Sequence, residues 1–193
     1  MFLVRNCIFL CVVLVISACS KNPTPEIAKK TNETSTMLPF IKDVGTFSGV
    51  TSTNKNFSNN DLKGIPSIVY FMFTTCKGPC PIINKQTETL LKEITKQVRF
   101  VAITVDPETD TEEKLLEFSK TFSYKDSSWI FVRTHPDSLR SVAVKNFMVG
   151  DMESPMVHST RYILVDKNSK IRGYYDGLDS KAIEKLKQDV QQL

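Results

Sequence analysis

Two cysteines separated by three residues, Cys76 and Cys80 in "TTCKGPCP", and one distant histidine, His158 in "GDMESPMVHST", are the side chains whose types point to chemistry. The pair follows an apolar run and precedes a stretch with helical periodicity, so it sits at a strand-to-helix junction. A thiol at the start of a helix faces the positive end of the macrodipole and unsatisfied backbone N–H groups, and both favour thiolate. Thiolate is at once the nucleophile of disulfide exchange and a soft metal ligand. Thioredoxin-type catalysts place two residues between their cysteines; three residues set the thiols about one helical turn apart. That separation permits a disulfide and equally lets two sulfurs converge on one ion. Inert packing is disfavoured, because Thr74, Thr75, Gly78 and Pro79 read as an exposed turn.

A third ligand would separate metal from disulfide, and the chain has only two histidines. His135 precedes Pro136 at a strand end and is expected to cap or flank a helix. His158 enters the first strand of a hairpin through a loop that, in the thioredoxin order of elements, crosses the amino-terminal end of the first helix. Two thiolates and an imidazole make a soft, low-coordinate set suited to Cu(I), whereas zinc would want a fourth ligand. Asp106 and Asp110 follow the second strand at the same edge and could orient His158 or a partner from behind the ligands, although Asp110 also reads as a helix cap. Lys77 either supports a thiolate or is simply solvated. Met148, Met152 and Met156 are soft thioethers ahead of His158, for which packing is the simpler explanation.

The elements that must position these residues follow from periodicity. "IPSIVYFMF" reads as a strand buried on both faces, and "PIINKQTETLLKEITKQV" repeats apolar residues with helical spacing. "VRFVAITV" is a second strand, "DTEEKLLEFSKTF" a helix with Asp110 and Glu113 spaced as a capping box, "WIFVRT" a third strand and "PDSLRSVAVKNF" a further helix. "STRYILVD" and "KIRGYYDG" then form an antiparallel hairpin ahead of a last helix from about Asp179. This order, βαβ followed by ββα, predicts an α/β thioredoxin-like fold: a mixed central sheet flanked by helices, with an N-terminal β extension from "GTFSGVTSTNKNFSNNDLKG".

Residues 1–18 read as a lipoprotein signal peptide, with Arg5 ahead of an apolar run and small residues before Cys19. Cys19 is then a lipidated amino terminus, 19–36 the lipidated cysteine and a flexible polar tether, and 37–193 one domain large enough for its own core. Of five cysteines, Cys7 and Cys11 leave with the signal and Cys19 carries lipid, so Cys76 and Cys80 have only each other. The net charge of +4 falls to +3 without Arg5, and no basic block is interleaved with aromatics, which argues against nucleic acid.

"TTCKGPCP", "VDPETDTEE" and "VHSTRYILVD", taken in order, resemble the Sco/SenC family of copper-binding thioredoxin-fold proteins, over nearly all of the chain from about Gly45 onward. The resemblance implies that Cys76, Cys80 and His158 bind copper; the soft donor set favours Cu(I), with Cu(II) as the alternative. It also implies a role in maturing the binuclear copper centre of cytochrome c oxidase, by delivering copper or by maintaining that site's thiols. The implied partners are the copper-acceptor subunit of the oxidase, a copper donor, a thioredoxin-like reductant and, through lipid, a membrane facing the periplasm or exterior. A monomer is expected. Thr109 departs from the family, which commonly has arginine there, but touches no expected ligand. The alternative is a thiol-disulfide oxidoreductase using Cys76 and Cys80 as its redox-active pair, for which a loop histidine would be dispensable. A peroxiredoxin-like peroxidase is disfavoured, because nothing near Cys76 matches that family's proline-threonine-cysteine nucleophile.

Overall fold

The computed structural model describes residues 37–123, 127–150 and 159–193. These fall within one compact unit, Thr36–Leu193. Eight strands form a single mixed sheet: β1 (Lys42–Asp43), β2 (Ser48–Thr51), β3 (Asn56–Ser58), β4 (Ser67–Met72), β5 (Arg99–Thr104), β6 (Trp129–Thr134), β7 (Arg161–Val165) and β8 (Lys170–Asp176), in the order β1-β8-β7-β4-β5-β6-β2-β3. β4, β5 and β6 are parallel, with Val69 opposite Val101 and Val101 opposite Ile130. β7 pairs antiparallel with both β4 and β8. The expected thioredoxin-like order therefore stands at the centre of the sheet. The N-terminal extension is a β2–β3 hairpin that pairs antiparallel beyond β6, while β1 closes the opposite edge against β8.

β4 is buried at every position because both faces of the sheet are covered. Ile68, Tyr70 and Met72 face one core, with Ile83, Leu90 and Leu91 of α1 (Cys80–Glu93), Leu115 of α2 (Glu112–Lys120) and Ile183, Leu186 and Val190 of α4 (Ser180–Gln191). Val69 and Phe71 face the other core, with Val44, Phe47, Leu62, Val142 and Phe147. The period-two alternation of side chains divides one apolar run between two layers.

Several boundaries move. α1 stops at Glu93 with Ile94 extended, short of the predicted Val98. The predicted capping box at Asp110 is absent: Thr111 is the N-cap, its side chain accepting from the Lys114 N–H, and Asp110 is turned inward. The helix expected over 136–147 divides into α3 (Pro136–Arg140) and a π-helical run, Ser141–Asn146. His135 is the N-cap of α3, its Nδ1 accepting from the Asp137 N–H at 3.3 Å, so it serves as the expected cap. Among the described residues, no helix is long and apolar enough to cross a membrane.

Candidate metal and thiol site

β4 ends at Met72, and the chain turns through Phe73–Pro79 to enter α1 at Cys80, with Pro79 as N-cap and a further proline in the first turn. Proline is tolerated there because the first N–H groups of a helix have no intrahelical acceptor. Both cysteines are free thiols. Thr75, Lys77 and Gly78 are exposed, as the turn composition predicts. The sulfur-bearing residues are not: Cys76 is 9% exposed and Cys80 7% exposed, and both join the core on the α1 face. The side chains fold back onto α1 from an otherwise exposed turn.

The two thiols are chemically unequal. Burial pushes Cys76 up, but hydrogen bonds from the Cys80 thiol and from the backbone N–H groups of Cys80 and Gly78 outweigh it and hold Cys76 below the usual cysteine range. Burial and the neighbouring Cys76 push Cys80 up to about 12, which a hydrogen bond from the Phe73 backbone only partly offsets. Cys76 is thus the more acidic thiol of the pair and Cys80 the weaker acid.

Asp106 and Asp110 both lie in the β5–α2 loop, but only Asp110 reaches the thiol turn. Its carboxylate, fully buried, accepts from the Thr74 N–H at 3.0 Å, from the Thr74 hydroxyl, and from the Thr104 hydroxyl at 2.6 Å. Asp106 donates its backbone N–H to Thr104 Oγ1 at 3.0 Å and is only part-buried. Arg133 holds the same loop against β6, with Nε donating to the Pro107 carbonyl at 2.6 Å and Nη1 pairing with Glu112 at 3.2 Å.

Beneath Cys80 runs a buried polar chain that sequence reasoning missed. Trp129 Nε1 donates to the Tyr70 hydroxyl at 3.0 Å, and Tyr70 donates to Asn84 Oδ1 at 2.9 Å. Thr87 Oγ1 lies 2.8 Å from the Tyr162 hydroxyl, which donates to the Ile83 carbonyl at 2.7 Å. A signal existed: Cys80, Asn84 and Thr87 fall at helical spacing on the face that also carries Leu91, so polar residues interrupt a buried stripe.

A small recess beside Cys80 is lined by Phe73, Pro79, Ile83, Val105 and Ser159. Ser159 is the residue after His158; His158 itself, Met152, Met156 and Cys19 lie outside the described residues. Met148 is described, half exposed, with a positive φ of 53°. Among the described residues, no group of three or more His, Cys, Asp or Glu side chains could hold a metal ion.

A parallel β4–β5–β6 core, an antiparallel β7–β8 hairpin and a thiol pair at the first helix define a thioredoxin-like thiol protein with a three-residue spacer between its cysteines. Known proteins narrow the class. The SCO1/SenC family model matches residues 39–193, and the chain belongs to the SCO1/SenC family. The SCO1 protein homolog of Bacillus subtilis is 26% identical over 160 residues, 79% of this chain and 83% of that one. A SCO2-like protein of Rickettsia felis is 32% identical over 161 residues, 76% of this chain and 77% of that one. A SCO1/SenC family lipoprotein of Bacillus anthracis has the same fold with a TM-score of 0.68 at 28% identity, over 79% of this chain and 95% of that one. BsSco, a member of the Sco family of cytochrome c oxidase assembly proteins in which a disulfide switch has been identified, gives a TM-score of 0.68 at 26% identity, over 79% of this chain and 94% of that one. Yeast Sco1 with copper bound shares the fold at a TM-score of 0.61 and 22% identity, over 79% of this chain and 94% of that one.

Proposed function

We propose that this protein binds copper and acts in the assembly of cytochrome c oxidase, delivering copper to the binuclear site or keeping that site's thiols reduced. Family membership and the description of BsSco support the oxidase; the residues support the metal. The observation that carries the reading is the side-by-side pair of unequal thiols at the head of α1, with Ser159, bonded directly to His158, lining the recess against Cys80. Copper is here the cargo. Cys76 and Cys80 supply two soft donors and His158 the imidazole, a three-donor set that suits Cu(I) and falls one short of a closed zinc site. Asp110 positions the turn that carries Cys76 and takes no ligand role in this scheme; Asp106 steadies Thr104.

The amino-terminal segment fits the same role: residues 1–18 are the signal, Cys19 the lipid anchor and the polar stretch to residue 36 the tether, with the protein held on the envelope side of its membrane. The lipoprotein of Bacillus anthracis supports this reading. The thiol asymmetry supports disulfide exchange as a linked property of the same pair rather than as the principal role.

Anaerobic Cu(I) titration of the reduced protein and of His158→Ala tests the proposal. The native protein binds one copper per chain; His158→Ala weakens binding at least about tenfold with native circular dichroism, because it removes one of three ligands. Equal affinities would take His158 out of the site.

A further inference from the structure

On the α2 side of α1 the two cysteines line a second recess of about 230 Å³, walled by Phe73, Pro81, Phe118 and Phe122. This is smaller than the roughly 300–1,000 Å³ of small-molecule sites. It has room for a side chain or two but not for a free cofactor.

Its charge and hydrogen-bonding character select the guest. Lys85 pairs with the buried Glu88 at 2.9 Å, and Glu88 also accepts from the Ser123 N–H at 2.7 Å, so the lining carries no uncompensated charge. Asn84, 1% exposed, also lines the recess. The Tyr70 oxygen accepts from Trp129 Nε1 at 3.0 Å, and its hydroxyl donates to Asn84 Oδ1 at 2.9 Å. The amide oxygen therefore faces Tyr70. Among the described residues the Asn84 side chain is engaged through Oδ1, so its NH₂ remains as a donor, and a backbone carbonyl is the neutral acceptor an apolar segment brings with it.

We infer that this recess receives an apolar side chain next to a cysteine in an extended segment of a protein partner, whose backbone carbonyl accepts from the Asn84 NH₂. The inference rests on the reading that Cys76 and Cys80 act on a partner's cysteines, and both residues line the recess. In exchange, the Cys76 thiolate attacks one sulfur of the partner's disulfide, forming a mixed disulfide and releasing the partner's other sulfur as thiolate. Cys80 then attacks the Cys76 sulfur and its proton passes to a departing thiolate, leaving a Cys76–Cys80 disulfide and a reduced partner. Two electrons move from this protein to the partner, and no further reagent is needed. A guest seated in the recess holds its neighbouring sulfur beside the pair through both steps.

The test uses the reduced full-length protein in detergent and three probes: a disulfide-bridged peptide with leucine and phenylalanine beside its cysteines, the same peptide with serines there, and oxidised glutathione. The apolar peptide is reduced at least about tenfold faster than the serine peptide, as burial of one apolar side chain implies. Thr121→Glu, which sets a charge at an exposed residue that also lines the recess, and Asn84→Ala each bring the ratio of the two peptide rates to within about twofold while keeping native circular dichroism. Equal peptide rates in the native protein, with glutathione reduced normally, would overturn the docking site and leave thiol exchange standing, as would a preference unchanged in both variants. Failure to reduce any of the three probes would overturn exchange and docking together.

Discussion

The Asp110 carboxylate accepts hydrogen bonds from both the backbone N–H of Thr74, at 3.0 Å, and the Thr74 hydroxyl, two residues ahead of Cys76. Through Thr104, at 2.6 Å, the same carboxylate ties that turn to the end of β5. Asp110→Ala leaves the part-buried Thr74 N–H and hydroxyl and the buried Thr104 hydroxyl without their acceptor, at a cost of about 2–4 kcal/mol. The melting transition falls by roughly 5–15 °C for a domain of this size. Asp110→Asn, which keeps one acceptor oxygen, loses less. A melting temperature equal to native in the alanine variant would show that the clamp contributes nothing.

Thiol titration separates the two cysteines. Alkylation requires thiolate, so its rate falls as pH drops through the pKa of the reacting group. Cys76 is held below its ordinary value by hydrogen bonds from the Cys80 thiol and from the Cys80 and Gly78 N–H groups, so its alkylation midpoint sits below that of an unperturbed cysteine. Cys80, pushed up to about 12, stays protonated through that midpoint. Mass mapping of iodoacetamide adducts at neutral pH finds Cys76 modified first, and Cys76→Ser removes the low-pH phase. Preferential modification of Cys80 would reverse the assignment.

On the proposed ligand set of Cys76, Cys80 and His158, oxidation state gates copper. A Cys76–Cys80 disulfide consumes both thiolates and leaves one imidazole, a single ligand that cannot hold copper tightly. Oxidised protein passed over a desalting column therefore emerges without copper, and reduction restores one copper per chain. Retention of copper by the oxidised protein would mean that the thiols are not ligands.

The anchor is tested in cells. On the proposed reading of residues 20–36 as a tether, a flexible chain of that length reaches on the order of 20–25 Å root-mean-square, enough to meet an acceptor domain close to the bilayer. Cys19→Ser yields a protein that binds copper normally in solution but supports oxidase maturation poorly at native expression, with overexpression restoring part of it. Full maturation at native expression would make the tether irrelevant, and loss of copper binding would place Cys19 in the site.

What the amino-acid sequence determined by itself is local. Two-faced apolar runs define β4 and β5, because an uninterrupted Ile-Val-Tyr-Phe stretch can be buried only in the middle of a covered sheet. Cys76 and Cys80 at the junction of β4 and α1, the order of strands and helices, and the family motifs are equally properties of neighbours along the chain. Tertiary structure decided what depends on contacts between distant segments. Asp110 looks like a helix cap until the turn 36 residues earlier presents the Thr74 N–H to it, and Thr111 then takes the cap. The thiols look exposed from the composition of their turn until the chain folds them against the core. Asn84 is one polar residue in a helix until Tyr70, 14 residues away, and Trp129, 59 residues beyond Tyr70, orient its amide. The β2–β3 hairpin reads as an appendage until it pairs beside β6. Periodicity reports which face of an element is buried, but not which partner lies across from it, because that depends on register and packing among elements far apart in the chain.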